Sequence, residues 1–457
     1  MVDVITIETP GLGDRSYLVT DGEVAVAIDP QRDIDRFVEL LESRRLRLTH
    51  VLETHVHNDY VTGGYQLART TGAAYVLNAL DRLEFEHTGV VDGDVLEVSR
   101  TLRIRVLGTP GHTFTHLSYA VDNRGETIGV FTGGSVLYGS TGRPDLLGSQ
   151  YADELARHQH TSARRLLEQF PATTPVYPTH GFGSFCAATQ TEGTSSTLGD
   201  EALRNPALTL DVEDFVTQTL QGLDEYPAYY VRMAPANSAG PGPVDLSPPT
   251  PADAVGLRAR IEAGEWVVDL RSGTAFAAGH VPGTLNFSLD GPFVTYLGWL
   301  LPWGTPVTLL GRTAEHVAEA QRELVRIGVD RPAAAATGEV EEWSDRPVGS
   351  FPVTDMVGLR EHLERHREHR TVVLDVRLDL EYLPGHLPGA VHIPLHELLE
   401  RLDDVPPGQI WVHCASGYRA SIAASVLAAA GRDVVAIDDD FSSARGAGLD
   451  VVPAAAV

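Results

Sequence analysis

Cysteine and long apolar runs are nearly absent from this sequence of 457 residues. Cys186 and Cys414 are the only cysteines, which excludes a disulfide framework and predicts a reducing compartment. No run of about 18 apolar residues occurs, so no transmembrane helix is expected. The first residues lack the charged and apolar regions of a signal peptide, and we therefore expect a cytoplasmic protein.

Positive charge is also scarce. The chain has 35 Lys and Arg against 62 Asp and Glu, a net charge of -27. Such a chain repels nucleic acids and anionic membranes, so neither is expected as a partner. The apolar fraction of 43% is enough for packed cores. A chain of this length is expected to form about three domains.

Potential metal ligands follow several predicted strands of the first half. His55 and His57 stand two residues apart after a buried strand, and Asp59 follows two residues later. His112 and His180 come at two further strand-to-loop junctions. Imidazole and carboxylate groups close together are typical ligands of first-row metals. Histidines at several strand ends of one αβ pattern therefore predict a metal site.

Two further residues of this half are weaker candidates. His116 lies four positions after His112, beside the predicted site. Cys186 follows the loop of His180, where we expect a buried structural cysteine.

The second half of the chain contains an internal repeat. An Asp-x-Arg strand at 267–271 recurs at 373–377, and a Gly-His-x-Pro-Gly turn at 279–283 recurs at 385–389 with the same spacing. A repeat of domain size with alternating strands and helices predicts two tandem open α/β domains. Before them, the Pro- and Gly-rich stretch at 235–251 predicts an interdomain connector.

Only the second copy carries a cysteine at a strand-to-helix turn. A predicted helix at 395–401 and a strand at 410–412 precede this turn, and a helix at 420–430 follows it. Backbone N–H groups and a helix N-terminus stabilise a thiolate there. Such loops serve sulfur transfer or dephosphorylation, and an arginine only five positions after the cysteine favours sulfur. The turn consists of Cys414, Ala415, Ser416, Gly417, Tyr418 and Arg419.

Residues 1–240 resemble the metallo-β-lactamase superfamily. The motifs that carry the resemblance lie at 54–60, 109–112, 131–133 and 177–180. They imply an αββα sandwich with a metal site at one edge. Within the superfamily, the segments at 139–145 and 180–186 resemble the glyoxalase II and persulfide dioxygenase branch.

The motifs assign expected roles to individual residues. His55, His57 and His112 can supply three neutral imidazoles to one metal ion. A second group of residues is expected beside that metal or at its substrate. Asp59 and His180 would occupy the second shell or a second metal position, and Arg143 and Tyr60 would contact the substrate.

Two positions depart from the superfamily pattern. Tyr60 stands where a histidine ligand of a second metal is usual. Gly134 stands where persulfide dioxygenases have the aspartate of a two-histidine, one-carboxylate iron site. We therefore expect one metal ion, with Fe(II) favoured and Zn(II) as the alternative. A third hypothesis is a degenerate domain without metal.

The repeated half resembles the rhodanese family through the Asp-x-Arg strand, the Gly-His-x-Pro-Gly turn and the Cys-x-x-Gly-x-Arg loop. The resemblance implies an inactive rhodanese-like domain at 252–348, which lacks the cysteine, and an active one at 352–457. In the active domain Cys414 and Arg419 would be catalytic. The predicted fold class is thus α/β and α+β multidomain, an αββα sandwich followed by two rhodanese-like open α/β domains.

The whole arrangement resembles bacterial persulfide dioxygenase–rhodanese fusions. It implies oxidation of a low-molecular-weight persulfide to sulfite, coupled to rhodanese sulfur transfer. The expected partners are a small-molecule thiol or persulfide and further copies of the chain in a homo-oligomer. Two alternatives remain, a zinc-dependent thioester hydrolase and a degenerate metal domain that serves as a scaffold for a rhodanese.

Overall fold

The computed structural model describes residues 2–191, 193–366 and 371–453. The chain divides into two compact units, Met1–Val244 with Val325–Val329, and Asp245–Leu324 with Asp330–Val457. Among the helices within these described ranges, none is long and apolar enough to cross a membrane.

The first unit contains two six-stranded sheets, ordered β1-β2-β3-β4-β5-β6 and β12-β11-β10-β9-β8-β7. Its strands are β1 (Asp3–Thr9), β2 (Asp14–Thr20), β3 (Val24–Ile28), β4 (Arg47–Leu52), β5 (Ala74–Asn78), β6 (Thr88–Val90), β7 (Val95–Glu97), β8 (Leu102–Gly108), β9 (Leu117–Asn123), β10 (Glu126–Gly133), β11 (Pro175–Pro178) and β12 (Ser196–Thr197). Its helices are α1 (Asp35–Arg44), α2 (Gly64–Thr71), α3 (Ala152–Gln169), α4 (Leu198–Arg204), α5 (Pro206–Thr209), α6 (Val212–Gln221) and α7 (Tyr230–Ala239).

The alternation of side chains along each strand explains the layers. In β2, Tyr17 and Val19 belong to the core between the sheets, whereas Leu18 joins the outer cluster with Phe37 and Leu41 of α1. The second sheet packs its outer face against α3 and α6 in the same way. The predicted αββα sandwich is therefore confirmed.

The second half of the chain contains two parallel sheets. Their strands are β13 (Trp266–Asp269), β14 (Leu285–Asn286), β15 (Val307–Gly311), β16 (Ala334–Thr337), β17 (Val353–Thr354), β18 (Thr371–Asp375), β19 (Val391–His392), β20 (Gln409–His413) and β21 (Val434–Ile437). The helices are α8 (Ala254–Glu262), α9 (Gly273–Ala278), α10 (Phe293–Leu300), α11 (Ala314–Arg326), α12 (Met356–Arg365), α13 (Asp379–Tyr382) and α14 (Tyr418–Ala429).

The sequence repeat corresponds to a repeated topology. One sheet has the order β14-β13-β15-β16, and the other has β17-β21-β20-β18-β19, so that β13–β16 match β18–β21 in order. The Asp-x-Arg motif makes the same contact twice, with Arg271 Nη2 2.6 Å from Asp269 Oδ2 and Arg377 Nη2 2.6 Å from Asp375 Oδ2. Each arginine also donates to the carbonyl of the glycine that begins its Gly-His-x-Pro-Gly turn. The shared motif thus ties that turn to its strand.

Two local predictions were wrong. The connector does not begin at Pro235, because Tyr230–Ala239 is helical and has Met233 and Asn237 buried. Tertiary packing here outweighs the low helix propensity of proline. The predicted helix at 395–401 is only a 3₁₀ turn at Leu395–Glu397.

Candidate functional site

One carboxylate holds the loops of the metal-ligand candidates together. Asp29, at the end of β3, accepts hydrogen bonds from the N–H and the hydroxyl of Thr54 at 2.7 and 2.8 Å. It also accepts one from the hydroxyl of Thr179, directly before His180. Asp29 therefore fastens the loops after β4 and β11 to each other, which brings His55 close to His180.

Four buried histidines, His55, His57, His112 and His180, form what we name the imidazole cluster. The ring centroid of His55 lies 4.2 Å from that of His57, 4.8 Å from that of His112 and 5.6 Å from that of His180. The rings of His112 and His180 are 5.2 Å apart. The structure thus places His180 in the same cluster as the three histidines predicted to share one metal.

Three of these rings are oriented in the same way, with Nδ1 next to a protein oxygen. The Nδ1 atoms of His55, His112 and His180 are held by neighbouring oxygens, while their buried Nε2 atoms have no hydrogen-bond partner among the described residues. Burial lowers the pKa of His55 well below its usual value and that of His112 to about 3, which keeps both imidazoles neutral, as metal ligands must be. The Nδ1 contacts are Thr54 Oγ1 at 2.9 Å, the carbonyl oxygen of Arg143 at 2.8 Å and Asp14 Oδ1 at 3.0 Å.

His57 is oriented the other way. Its Nε2 lies 3.1 Å from Glu53 Oε2 and 3.3 Å from Asp29 Oδ1, and its Nδ1 lies 4.0 Å from Asp59 Oδ1. Burial alone would lower the pKa of His57, but the carboxylates of Asp29 and Glu53 raise it to about 10. His57 is therefore bound to two carboxylates that the sequence analysis did not associate with the site.

Asp59 and Asp14 flank His180. His180 Nδ1 lies 3.0 Å from Asp14 Oδ1 and 3.2 Å from Asp59 Oδ2. Burial lowers the pKa of His180, but the two carboxylates outweigh it and raise that pKa to about 9. Asp59 is thus next to the cluster, as expected, and Asp14 is an additional acid that sequence reasoning missed.

Gly134 leaves no room for a carboxylate arm. A Cβ atom at this position would lie 2.4 Å from the Cδ2 of His112. The N–H of Gly134 donates to His116 Nε2 at 2.9 Å, and His116 Nδ1 contacts Thr109 Oγ1 at 2.9 Å. His116 is therefore used to hold the glycine backbone, not to bind a metal.

Tyr60 does not have the substrate-facing position that we expected. Its side chain is fully buried and stacks on the ring of His57 at a centroid distance of 4.3 Å. The hydroxyl contacts His57 Nε2 at 3.0 Å and donates to the carbonyl of Asp29 at 3.3 Å. Its role in this structure is to position His57.

Arg143 is held by protein groups in this structure, and its contact with a substrate stays a prediction. Its guanidinium pairs with Asp145 at 2.7 and 2.8 Å, and Nη2 donates to the carbonyl of Asp224 at 2.7 Å. Only 4% of its side chain is exposed.

The nearby Cys186 is fully buried, and burial raises the pKa of its thiol well above the usual value, which agrees with the expected structural role.

Asn237 supports the metal-ligand loop and was missed in the sequence. Its Nδ2 donates to the carbonyls of His57 and Tyr60, each at 2.9 Å. Its Oδ1 accepts the N–H of Thr62 at 2.8 Å. No local motif reveals these contacts, because the asparagine lies in the stretch that composition assigns to a connector.

The second candidate site is the cysteine loop, residues 414–419, between β20 and α14. Gly417 has a φ of 89°, a conformation that favours glycine, and a Cβ there would lie 2.2 Å from Asp438 Oδ1. Cys414 is only 1% exposed and stands four residues before the first residue of α14. The loop therefore curls tightly around its cysteine, as the sequence predicts.

The first copy packs against the cysteine loop. The hydroxyl of Tyr418 donates to the carbonyl of Ser288 at 2.8 Å, and Ser421 donates to Asn286 at 2.7 Å. A pocket of about 410 Å³ adjoins these contacts and is lined by both copies. The first copy, residues 252–348, therefore contacts the cysteine loop at the end that leads into α14.

Fold and sites together define a metallo-β-lactamase domain joined to a rhodanese-like domain. The model of the metallo-beta-lactamase superfamily matches residues 11–180, and that of the rhodanese-like domain matches residues 359–446. The chain thus has an N-terminal metallo-β-lactamase domain of the persulfide dioxygenase and glyoxalase II kind and a C-terminal rhodanese domain. The repeat at 252–348 is visible in the strand order and is not matched by the family model.

Two curated relatives and one solved structure illustrate the similarity. The mitochondrial persulfide dioxygenase ETHE1 of Homo sapiens is 28% identical over 205 residues, 44% of this chain and 74% of that protein. A hydroxyacylglutathione hydrolase of Methylobacillus flagellatus is 31% identical over 159 residues, 35% of this chain and 58% of the hydrolase. A crystal structure of a metallo-β-lactamase from Staphylococcus aureus subsp. aureus COL has a TM-score of 0.66 at 26% identity and covers 74% of this chain and 99% of its own.

Proposed function

We propose that this chain oxidises a low-molecular-weight persulfide to sulfite in its first domain and transfers sulfane sulfur at Cys414. The observation that carries the proposal is the presence, in one chain, of buried imidazole nitrogens with no partner among the described residues and of a rhodanese-type cysteine loop. A common substrate class explains why the two sites are joined, since tethering raises the effective concentration of a shared intermediate.

The proposed reactions balance. A persulfide R–S–SH, dioxygen and water give the thiol R–SH, sulfite and two protons, so that the outer sulfur loses the four electrons that dioxygen gains. The Cys414 thiolate attacks the outer sulfur of a second persulfide R–S–SH, which forms the deprotonated Cys414 persulfide and releases the thiol R–SH. Sulfite then takes that outer sulfur, which gives thiosulfate and regenerates the Cys414 thiolate. Cys414 stands in the loop that leads into the N-terminus of α14, a position at which backbone N–H groups face a bound anion.

A divalent metal ion would supply the site at which dioxygen and persulfide meet. The imidazole cluster fits such an ion, because buried Nε2 atoms without partners are costly unless an ion or a water molecule satisfies them. His55 and His112 would hold it as neutral ligands, and burial of the cluster excludes bulk water from the reacting sulfur. Position 134 does not supply the carboxylate of a two-histidine, one-carboxylate site, because only a glycine fits there.

The experiment that tests the proposal is dioxygen uptake by the full chain loaded with Fe(II) and supplied with glutathione persulfide. We expect one sulfite for each dioxygen consumed, and thiosulfate when more persulfide is present. In Cys414→Ser, uptake should persist while thiosulfate formation stops. Iron-loaded protein that consumes no dioxygen would refute the oxygenase part.

A zinc-dependent thioester hydrolase is the second candidate. Histidine-rich sites with an open position suit zinc-bound hydroxide, and the similarity to hydroxyacylglutathione hydrolase favours this reading. It predicts that the zinc-loaded chain cleaves a glutathione thioester under anaerobic conditions. If neither activity is found and no metal binds, the first domain serves as a scaffold for the rhodanese.

A further inference from the structure

The first compact unit includes a short segment from far along the chain, residues 325–329. This segment belongs to the repeat copy that has no cysteine, residues 252–348, and lies outside residues 11–180, which the superfamily model matches. Its first two residues, Val325 and Arg326, end helix α11. The unit that contains the imidazole cluster is therefore completed by residues that no metallo-β-lactamase motif predicts.

The side chain of Arg326 is buried against Asp33. Its Nη2 lies 2.7 Å from Asp33 Oδ2 and its Nε lies 3.1 Å from Oδ1, and the two side chains are 5% and 0% exposed. Two parallel hydrogen bonds between a guanidinium and a carboxylate are strong and fix the geometry of the pair. Burial would raise the pKa of Asp33, but Arg326 and Arg36 outweigh it and hold that pKa below its usual value. Arg326 is thus one of the cations that balance a buried, ionised carboxylate.

The main chain of the segment is bonded to the same unit. The N–H of Val61 donates to the carbonyl of Arg326 at 2.7 Å, and Arg32 Nη1 donates to the carbonyl of Val325 at 3.3 Å. The last four carbonyls of a helix have no partner within the helix. Groups of the first unit therefore complete the C-terminal turn of α11, and a main-chain donor of the loop after β4 is one of them.

These contacts reach the two loops that order the imidazole cluster. Val61 lies four residues after His57, in the loop after β4. Asp33 lies four residues after Asp29, the carboxylate that fastens the loops after β4 and β11 to each other. Arg326 therefore joins the loop after β3 to the loop after β4.

The chemistry of the contact distinguishes it from the packing of a helix end. Packing of that kind is made by apolar side chains, and its loss weakens the whole unit. Here the contact is a buried ion pair and a main-chain hydrogen bond that is directed at one loop, so its loss should be felt first at that loop.

We infer that Arg326, from the copy without a cysteine, is a positioning residue for the site of the first domain. Its guanidinium holds Asp33 and its carbonyl holds the N–H of Val61, so that the loops after β3 and β4 keep the places that the imidazole cluster requires. The copy that cannot transfer sulfur thereby serves the other site of the chain. The inference rests on the proposed function only in taking the imidazole cluster as the metal site.

The test measures amide hydrogen exchange at Val61 and Zn(II) affinity in the full chain. Exchange is followed by mass spectrometry on the metal-free protein, so it reports on the loop whether or not the proposed reactions are found. Competition with a chelator gives the Zn(II) affinity. The variants are Arg326→Gln and Arg326→Lys. The control is Arg331→Gln, because Arg331 also pairs with a carboxylate, that of Asp245, but is 48% exposed, and exposed pairs contribute little.

In Arg326→Gln we expect exchange at Val61 to be at least about tenfold faster, and Zn(II) to bind at least about tenfold more weakly, as is usual when a residue that supports a metal ligand is lost. Arg326→Lys keeps the charge but cannot make both bonds, so both effects should be smaller. Exchange in β8, which belongs to the other sheet, should not change, and neither should sulfur transfer at Cys414. Arg331→Gln should leave all four quantities unchanged.

Unchanged exchange at Val61 in Arg326→Gln would overturn the inference. Equal acceleration in β8 would also overturn it, because the arginine would then stabilise the whole unit rather than the loop, and so would faster exchange at Val61 with unchanged Zn(II) affinity. Arg326→Lys provides the same comparison if Arg326→Gln does not fold. If the unchanged chain binds no Zn(II), the metal site of the proposed function fails, and exchange at Val61 alone decides whether Arg326 holds the loop.

Discussion

Arg419 and Glu381 form two parallel hydrogen bonds, 2.6 Å from Nη1 to Oε2 and 2.7 Å from Nη2 to Oε1. The pair joins the first turn of α14 to α13 and so fixes one end of the cysteine loop. A lysine keeps the charge but cannot make both bonds. We predict that Arg419→Lys lowers thiosulfate:cyanide sulfur transfer at least about tenfold, measured as kcat/KM.

The control for Arg419→Lys is Arg401→Lys. Arg401 also pairs with two carboxylates, Glu397 and Asp404, but it is 40% exposed and is not part of the cysteine loop. Exposed pairs contribute little, so this variant should keep nearly full activity. Equal losses in the two variants would show that the Arg419 geometry is not what matters.

The same ion pair predicts how stability depends on pH. Burial would raise the pKa of Glu381, but its hydrogen bonds with Arg419 outweigh this and hold the pKa below its usual value of 4.5. The stabilisation is therefore fully present above about pH 4.5 and is lost as the pH falls through the lower, folded-state pKa. The urea midpoint of Glu381→Gln should be below that of the unchanged chain at pH 7, and the gap should narrow by pH 4. A gap that widens toward acid would contradict this assignment.

Cys414 should be indispensable for sulfur transfer. We predict that Cys414→Ser abolishes thiosulfate:cyanide transfer, because a hydroxyl at this position cannot hold a sulfane sulfur. Cys186→Ser is the matched control, since Cys186 is the other cysteine and is buried in the first unit. Sulfur transfer that persists in Cys414→Ser would refute the role of the cysteine loop.

Periodicity and motifs predicted the architecture well, because the sandwich and the repeated sheets follow from alternation and from the Asp-x-Arg motif. The sequence could not reveal which nitrogen of each histidine ring the protein holds, because the residues that hold it are distant in the chain. His180 is oriented by Asp14, and His57 by Asp29 and Glu53. Motif position alone therefore does not show which nitrogen of each ring the protein holds.

The same limit applies to residues whose protein contacts the sequence does not show. Tyr60 and Arg143 are polar and lie within family motifs, so a substrate role was a reasonable expectation. Their partners, the carbonyl of Asp29 and the carboxylate of Asp145, become apparent only when burial is known. Asn237 shows the converse, because a proline two residues earlier conceals a helix that packing maintains.

Gly134 should resist conversion to the aspartate of a dioxygenase site. We predict that Gly134→Asp destabilises the first unit by about 1–3 kcal/mol, because the new Cβ overlaps the ring of His112. The chain should bind Zn(II) less tightly rather than more tightly. Gly242→Asp is the control, since no atom of the described part of the chain lies within 4 Å of a Cβ there. Tighter Zn(II) binding by Gly134→Asp would show that the ring can move aside.

Asn237 should matter for the metal site and not for sulfur transfer. Its amide bonds the backbone of the loop that carries His57 and Tyr60, so Asn237→Ala leaves two buried carbonyls and one N–H without that partner. We predict a loss of stability on the order of 3 kcal/mol in the first unit and weaker Zn(II) binding, with unchanged transfer at Cys414. Asn237→Asp keeps the acceptor for Thr62 but sets a buried carboxylate oxygen against the two carbonyl oxygens, so its effect should be at least as large. Chemical unfolding and chelator competition measure both quantities, and equal loss of sulfur transfer would mean that the asparagine supports the whole chain rather than the metal-ligand loop.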